Sequence, residues 1–137
     1  GDTASYRLAF LFMMCFVGMP TIFYGDELGV QGIREEEYRA PMPWKGGDPS
    51  LPGFFRKAIA MRHALSPLRD GTFQMLSAEE GSRVIRFRRG TGAASVTVAI
   101  NAGNTAAAIP QSEETLYWAE GLQNGILSPG GFSVTYR

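Results

Sequence analysis

Hydrophobic residues fall into distinct textures along the chain. Leu8 to Val17, LAFLFMMCFV, is an apolar run of ten residues. That length suits a helix buried on nearly all sides, whereas a membrane-spanning helix needs about 20 residues. Asp2 or Thr3 can cap its start, Gly18 stops it and Pro20 prevents its continuation. Thr21-Ile22-Phe23-Tyr24 is β-branched and aromatic, which predicts a short buried strand broken by Gly25. Residues 26–49 lack either period and form a loop too long for a simple connector. Phe54, Ala58, Met61 and Leu65 then recur at helical spacing, predicting a helix that starts near Pro52 with Arg56, Lys57 and His63 off its apolar face.

From about Gly71 the period changes to two. Val96, Val98 and Ile100 alternate with Ser95, Thr97 and Ala99, and Phe132, Val134 and Tyr136 alternate with Ser133, Thr135 and Arg137. Such alternation predicts strands with one buried face. Phe73-Met75, Ile85-Phe87, Leu116 to Trp118 and Gly121 to Leu127 add further strands. Between them lie turn signals at Glu80-Gly81, Arg89-Gly90, Asn101 to Asn104, Asn124-Gly125 and Pro129-Gly130. Roughly seven short strands at this spacing predict an antiparallel β-sandwich. The order is helix, strand, loop, helix, all-β unit. It predicts an α+β fragment: residues 1–66 as the last helix–strand–helix of a (β/α)8 barrel with a substrate-side loop at 25–49, and 67–137 as a C-terminal β-sandwich domain.

Composition narrows the function classes. Thirteen basic and thirteen acidic residues give zero net charge, which argues against nucleic acid or an anionic membrane as partner. Arg83, Arg86, Arg88 and Arg89 flank one strand, but Glu79, Glu80, Glu113 and Glu114 can balance them, so a solvated edge or inter-domain contact is expected. The lone Cys15 excludes an internal disulfide and reads as a packed side chain. No dinucleotide or phosphate loop, zinc spacing or calcium loop is present, so no cofactor and no metal are expected. Nothing before Leu8 reads as a secretory leader, which favours the cytoplasm slightly and leaves the compartment otherwise unknown. The chain also lacks an initiator methionine and is expected to be a segment of a longer protein.

GMPTIFYGDELG (18–29) followed by RAPMPW (39–44) resembles the last barrel strand and following loop of the α-amylase family of glycoside hydrolases, in particular its neopullulanase, cyclomaltodextrinase and maltogenic amylase members. AIAMRHALSPLRDGTFQML (58–76) resembles that family's final barrel helix and passage into the C-terminal sandwich, and VTVAINAGN (96–104) a core strand of it. The resemblance implies a parent enzyme acting on α-glucan oligosaccharides by a retaining mechanism, with one carboxylate attacking and a carboxylic acid protonating the leaving oxygen. In the family those two acids and a third that helps fix the sugar follow earlier barrel strands, and the third acid's Asn-His-Asp-type motif is not among these residues. No catalytic residue is therefore assigned, and the fragment alone is expected to be inactive.

Asp26 and Glu27, adjacent on an extended chain, would point to opposite sides and could not flank one bond. They are expected to support the barrel mouth by bonding loops or a buried arginine, the alternative being direct sugar contact by either, with Tyr24 either packing in the wall or stacking on sugar. The resemblance implies a substrate-binding set of Arg39, Glu37 and Glu35, in which Arg39 at the end of the acidic loop holds a sugar and the family pattern has aspartates at the two glutamate positions; the alternative is an arginine paired with one of those glutamates. Trp44 is expected to anchor the loop end and His63 to lie at the surface. A second reading is a non-catalytic carbohydrate-binding or interaction module using Tyr117 and Trp118 as a platform. Without neighbours, the run 8–17 would be exposed and would promote a homodimer.

Overall fold

The structure, a computed structural model, describes residues 2–78 and 81–137. Helix α1 spans Thr3–Cys15, where Asp2 caps the first turn by accepting from the Ala4 and Ser5 backbone N–H groups. A short helix α2 (Glu35–Tyr38) interrupts the long loop, α3 (Leu51–Ala64) follows with Pro52 in its first turn, and α4 (Pro67–Asp70) turns the chain into the sheet. Six strands follow: β1 Phe73–Ala78, β2 Val84–Thr91, β3 Ala94–Asn101, β4 Ala107–Ala108, β5 Thr115–Gln123 and β6 Ile126–Tyr136.

All six strands join one antiparallel, curled sheet, rather than two separately bonded layers. Its order is β1-β2-β3-β6-β4, and β5 also pairs with β6. The long β6 makes this possible: Leu127 pairs with both Ala107 and Leu122, while Val134 pairs with Val98 and Trp118. Pro129-Gly130 is not a turn but a stretch inside β6, opposite an irregularity between Glu120 and Leu122. Arg89-Gly90 likewise lies within β2. The Asn124-Gly125 turn is as expected; both residues have positive φ, 49° and 76°, which suits a two-residue hairpin. The predicted turn residues Glu79 and Glu80 lie outside the described residues.

Helices α1, α3 and α4 pack on one face of the sheet, and a single apolar core joins them. Leu8, Phe10, Leu11, Met14 and Cys15 of α1 are buried with Phe54, Phe55, Ala58 and Met61 of α3 and Phe87, Val98, Phe132 and Val134 of the sheet. Phe10 stacks on Phe55 at 3.6 Å between ring centroids, and Phe54 packs on Trp118 at 5.0 Å. This corrects the expectation of an exposed run at 8–17. The chain's own helix α3 and sheet supply neighbours for Leu8, Phe10, Leu11, Met14 and Cys15, while Phe12, Met13 and Phe16 are half-buried and Ala9 and Val17 are exposed.

The strand predicted at Thr21–Tyr24 does not form. These residues are exposed and outside any sheet, because among the described residues no strand lies beside them to complete a ladder. Ile22 and Phe23 therefore face solvent at 37% and 47% exposure. Trp44 is 84% exposed rather than a packing anchor, since no apolar surface of the chain reaches it. His63 is exposed, as expected.

Candidate functional site

The segment after α1 ends in a tight turn that uses both acids of the Asp26-Glu27 pair. Gly25 takes φ 93°, and Asp26–Leu28 form one turn of 3₁₀ helix. Asp26 Oδ2 accepts from the Phe23 N–H at 2.8 Å, and Glu27 Oε2 accepts from the Gly25 N–H at 3.0 Å. The pair thus lies on a helical turn, not on an extended strand, and each carboxylate folds back onto preceding backbone. Their bonds go to the loop itself and to no arginine among the described residues. Tyr6 Oη on α1 donates to the Asp26 carbonyl, tying the turn to the helix.

Tyr24 reaches the far end of the loop, where its hydroxyl donates to the Ala40 carbonyl at 3.2 Å. This places Tyr24 beside the residue that follows Arg39. Arg39 Nε lies 3.2 Å from Glu35 Oε1, with both side chains more than 60% exposed. An exposed i,i+4 pair of this kind contributes about 0.3–0.5 kcal/mol, so the guanidinium is steadied without being sequestered. Glu37 turns the other way. It accepts from the Ile33 and Arg34 N–H groups and from the Arg34 guanidinium, and these bonds hold its carboxyl below the usual carboxylate range. Tyr24, Glu35 and Arg39 are therefore brought together, while Glu37 closes the start of α2.

An open groove of about 490 Å³ runs beside Tyr24, lined by Ile22, Phe23, Phe55 and Ile59, with Glu27 and Arg56 at its edge. It is an apolar wall with two charged groups at the rim. Among the described residues no group of three histidine, cysteine or acidic side chains is placed to hold a metal ion, and no helix is long and apolar enough to cross a membrane.

On the sheet, Trp118 is buried between Phe54 and Phe132, with the Lys57 ammonium 4.4 Å from its ring centroid. Tyr117 packs edge-on against Tyr136. The two rings do not form a shared platform. The other sheet face carries a groove of about 310 Å³ whose one carboxylate, Glu114, is already bonded to Thr97, Thr135 and Arg88.

The burial of three polar residues goes beyond the sequence reading. Arg89 is 1% exposed and Arg62 is 9% exposed, and both bond backbone carbonyls at the exit of α1. A solvated edge or an inter-domain contact is the expectation for Arg89; it is no solvated edge, since period two from Ile85 and Phe87 puts it on the core face, where it bonds the Cys15 and Phe16 carbonyls of the 1–66 segment. Arg62 follows Phe55 by seven residues, the same side of the helix. Glu114, expected only to balance arginines, is buried and does pair with Arg88, at 3.3 Å.

No protein-family model matches the chain. A cyclomaltodextrinase from a Bacillus species is 37% identical over 110 residues, covering 77% of this chain and 20% of that protein. Neopullulanase 2 from Thermoactinomyces vulgaris is 35% identical over 103 residues, covering 74% of this chain and 18% of that protein. The chain thus spans a fifth or less of the curated relatives it matches. An acarbose-soaked Nostoc punctiforme debranching enzyme superposes over 100% of this chain and 30% of its own, with a TM-score of 0.82 and 26% identity.

Proposed function

Because the chain belongs to the α-amylase family, we propose that it forms the C-terminal part of a retaining hydrolase or transferase of α-glucosidic bonds and supplies substrate contacts rather than the catalytic acids. In this reading residues 1–66 are the last helix–strand–helix of a (β/α)8 barrel and 67–137 are the C-terminal β-domain. The observation that carries it is the segment Thr21–Tyr24: β-branched and aromatic, exposed, and outside any sheet among the described residues. A barrel strand lacking its neighbour would have this character, since its backbone groups and one side-chain row await a partner.

Retaining glycoside hydrolysis needs two carboxyl groups about 5–5.5 Å apart on either side of the bond. Asp26 and Glu27 are engaged with backbone of their own turn and support the loop instead. Arg39 is the substrate-binding residue. Glu35 orients its guanidinium, Tyr24 pins the adjacent backbone, and Glu37 secures the helical turn on which Glu35 sits. An exposed guanidinium fork can donate in parallel to two sugar hydroxyls.

A chimera tests this. The matching C-terminal segment of a cyclomaltodextrinase is replaced by this chain, and hydrolysis of a cyclic maltooligosaccharide is followed. Turnover is expected, with Arg39→Ala raising KM and leaving kcat nearly unchanged. A folded chimera whose KM is insensitive to Arg39→Ala overturns the assignment of Arg39.

A further inference from the structure

The sheet face turned away from the helices carries a groove that the proposed function leaves unused. Thr97 and Ala99 on β3, and Ser133 and Thr135 on β6, alternate with the core residues Val96, Val98, Phe132 and Val134 and so stand on that face. Ala99 and Ser133 lie opposite each other in the register, and these two small side chains leave a depression of about 310 Å³. Leu116 and Leu122 of β5 line it on one side and Arg86 of β2 on the other. The segment 109–112 completes the lining. It is held at one end by the Ile109 N–H, which donates to the Gly125 carbonyl at 2.8 Å, and beyond its other end by Glu114, which is bonded to Thr97 and Thr135.

The hydrogen-bonding capacity left over in this groove points to its occupant. Thr97 and Thr135 donate their hydroxyl hydrogens to Glu114 at 3.1 and 2.6 Å and keep a lone pair each to accept with. Ser112 Oγ accepts from the Glu114 N–H at 3.1 Å and keeps its hydrogen to donate. Ser133 is only 4% exposed, yet neither its hydroxyl nor the Arg86 guanidinium bonds another side chain among the described residues. Donors and acceptors therefore converge beside an apolar wall. A metal ion would need several carboxylates, and an anion would meet the charge of Glu114. A peptide strand is excluded as well: β3 is paired with β2 and β6, and β6 with β3 and β5, so the floor offers no free backbone edge. A ring with hydroxyls on its rim and C–H groups on its faces satisfies both the polar groups and the wall.

We propose that this groove binds one ring of a neutral sugar, with Arg86, Ser112 and Ser133 reading its hydroxyls and Leu116 and Leu122 packing on its C–H face. The guanidinium fork of Arg86 spans two neighbouring hydroxyls in the same way as argued for Arg39. The two sites are separate: the Arg39 loop runs between α1 and α3, which pack on the opposite face of the sheet. The choice of an α-linked glucose oligomer as probe rests on the proposed function; the groove and its chemistry do not.

Titration of the 137-residue chain with maltotriose, followed by amide proton–nitrogen NMR, tests it. The Ala99, Gln111, Ser133 and Thr135 amides are expected to shift together with a dissociation constant on the order of millimolar, as suits a single small ring. Arg86→Ala weakens binding about fivefold, and Ala99→Leu, which fills the depression, abolishes it. Should Ala99→Leu fail to fold, Ser133→Ala takes its place, with a loss of about threefold expected. Arg39→Ala leaves these shifts unchanged, and sodium acetate at equal concentration does not produce them. Still amides in the folded chain at about 50 mM sugar overturn the proposal. So does undiminished affinity in Arg86→Ala, or an equal response to acetate, which marks an anion site. Shifts confined to residues 22–44 overturn it too, but they leave the assignment of Arg39 standing. Conversely, groove binding together with a chimera whose KM ignores Arg39→Ala upholds this site and overturns that assignment.

Discussion

Replacing Glu114 by glutamine isolates the one buried carboxylate of the sheet. Its side chain is 2% exposed; Oε2 accepts from Thr135 Oγ1 at 2.6 Å, and Oε1 accepts from Thr97 Oγ1 at 3.1 Å and lies 3.3 Å from Arg88 Nη2. Burial by itself pushes the carboxyl up, but the bonds from Thr135 and Thr97 and the Arg88 charge outweigh it and hold the group below the usual range. A hydrogen bond to a charged group contributes about 1.5–3 kcal/mol against about 1 for a neutral one. Two such bonds weaken in the amide, and the Arg88 pair adds little because that side chain is 37% exposed. The expected loss is about 1–2 kcal/mol at pH 7, read from urea denaturation.

The pH dependence follows from the direction of the shift. A carboxyl held low in the folded state stabilises the fold above its unfolded value and loses that stabilisation as pH falls through its folded value. The gap between wild type and Glu114→Gln should be constant from neutral pH down to the ordinary glutamate range and close below it. A gap that is absent at pH 7, or that persists undiminished in acid, refutes the electrostatic account and leaves only packing.

Phe10→Ala should cost about 3–5 kcal/mol in urea denaturation, because the ring is buried and stacked on Phe55. A double-mutant cycle with Phe55→Leu should show coupling of about 1 kcal/mol; strict additivity would mean the stack is incidental. Gly71→Ala should lower the thermal midpoint, since the added Cβ meets backbone at both Pro67 and Gly90; an unchanged midpoint would show that the α4–β2 contact is loose. Trp44 is 84% and Trp118 5% exposed, so iodide should quench only part of the tryptophan emission, and Trp44→Phe should leave a blue-shifted, quench-resistant remainder.

How far the sequence discloses this architecture depends on whether an element is shaped by its own residues or by neighbours. Helix α3 was legible because Phe54, Ala58, Met61 and Leu65 sit on one face and all four are buried. β3 was legible because Val96, Val98 and Ile100 share one side of the strand and form part of the core. Pro20–Tyr24 has strand-like residues, yet a strand is a property of a pair, and no pairing partner lies among the described residues. The strand expected at Gly121 to Leu127 is instead the end of β5, the Asn124-Gly125 turn and the start of β6, and β6 continues to Tyr136 through Pro129 and Gly130, turn residues across which the neighbouring strand carries the ladder. At the candidate site, the Glu35–Arg39 pairing follows from helical spacing. The contact of Tyr24 with Ala40 depends on how the loop returns, which no local pattern encodes.

The central claim is that this chain contributes binding and support but no catalytic carboxylate. The most direct test is reducing-sugar release when the purified 137-residue protein is incubated with cyclodextrin, pullulan or a maltooligosaccharide. No release above the buffer blank is predicted. Sustained turnover that Glu27→Gln or Asp26→Asn abolishes, with the fold intact by circular dichroism, would place the chemistry on the very turn assigned here to support and would contradict the account.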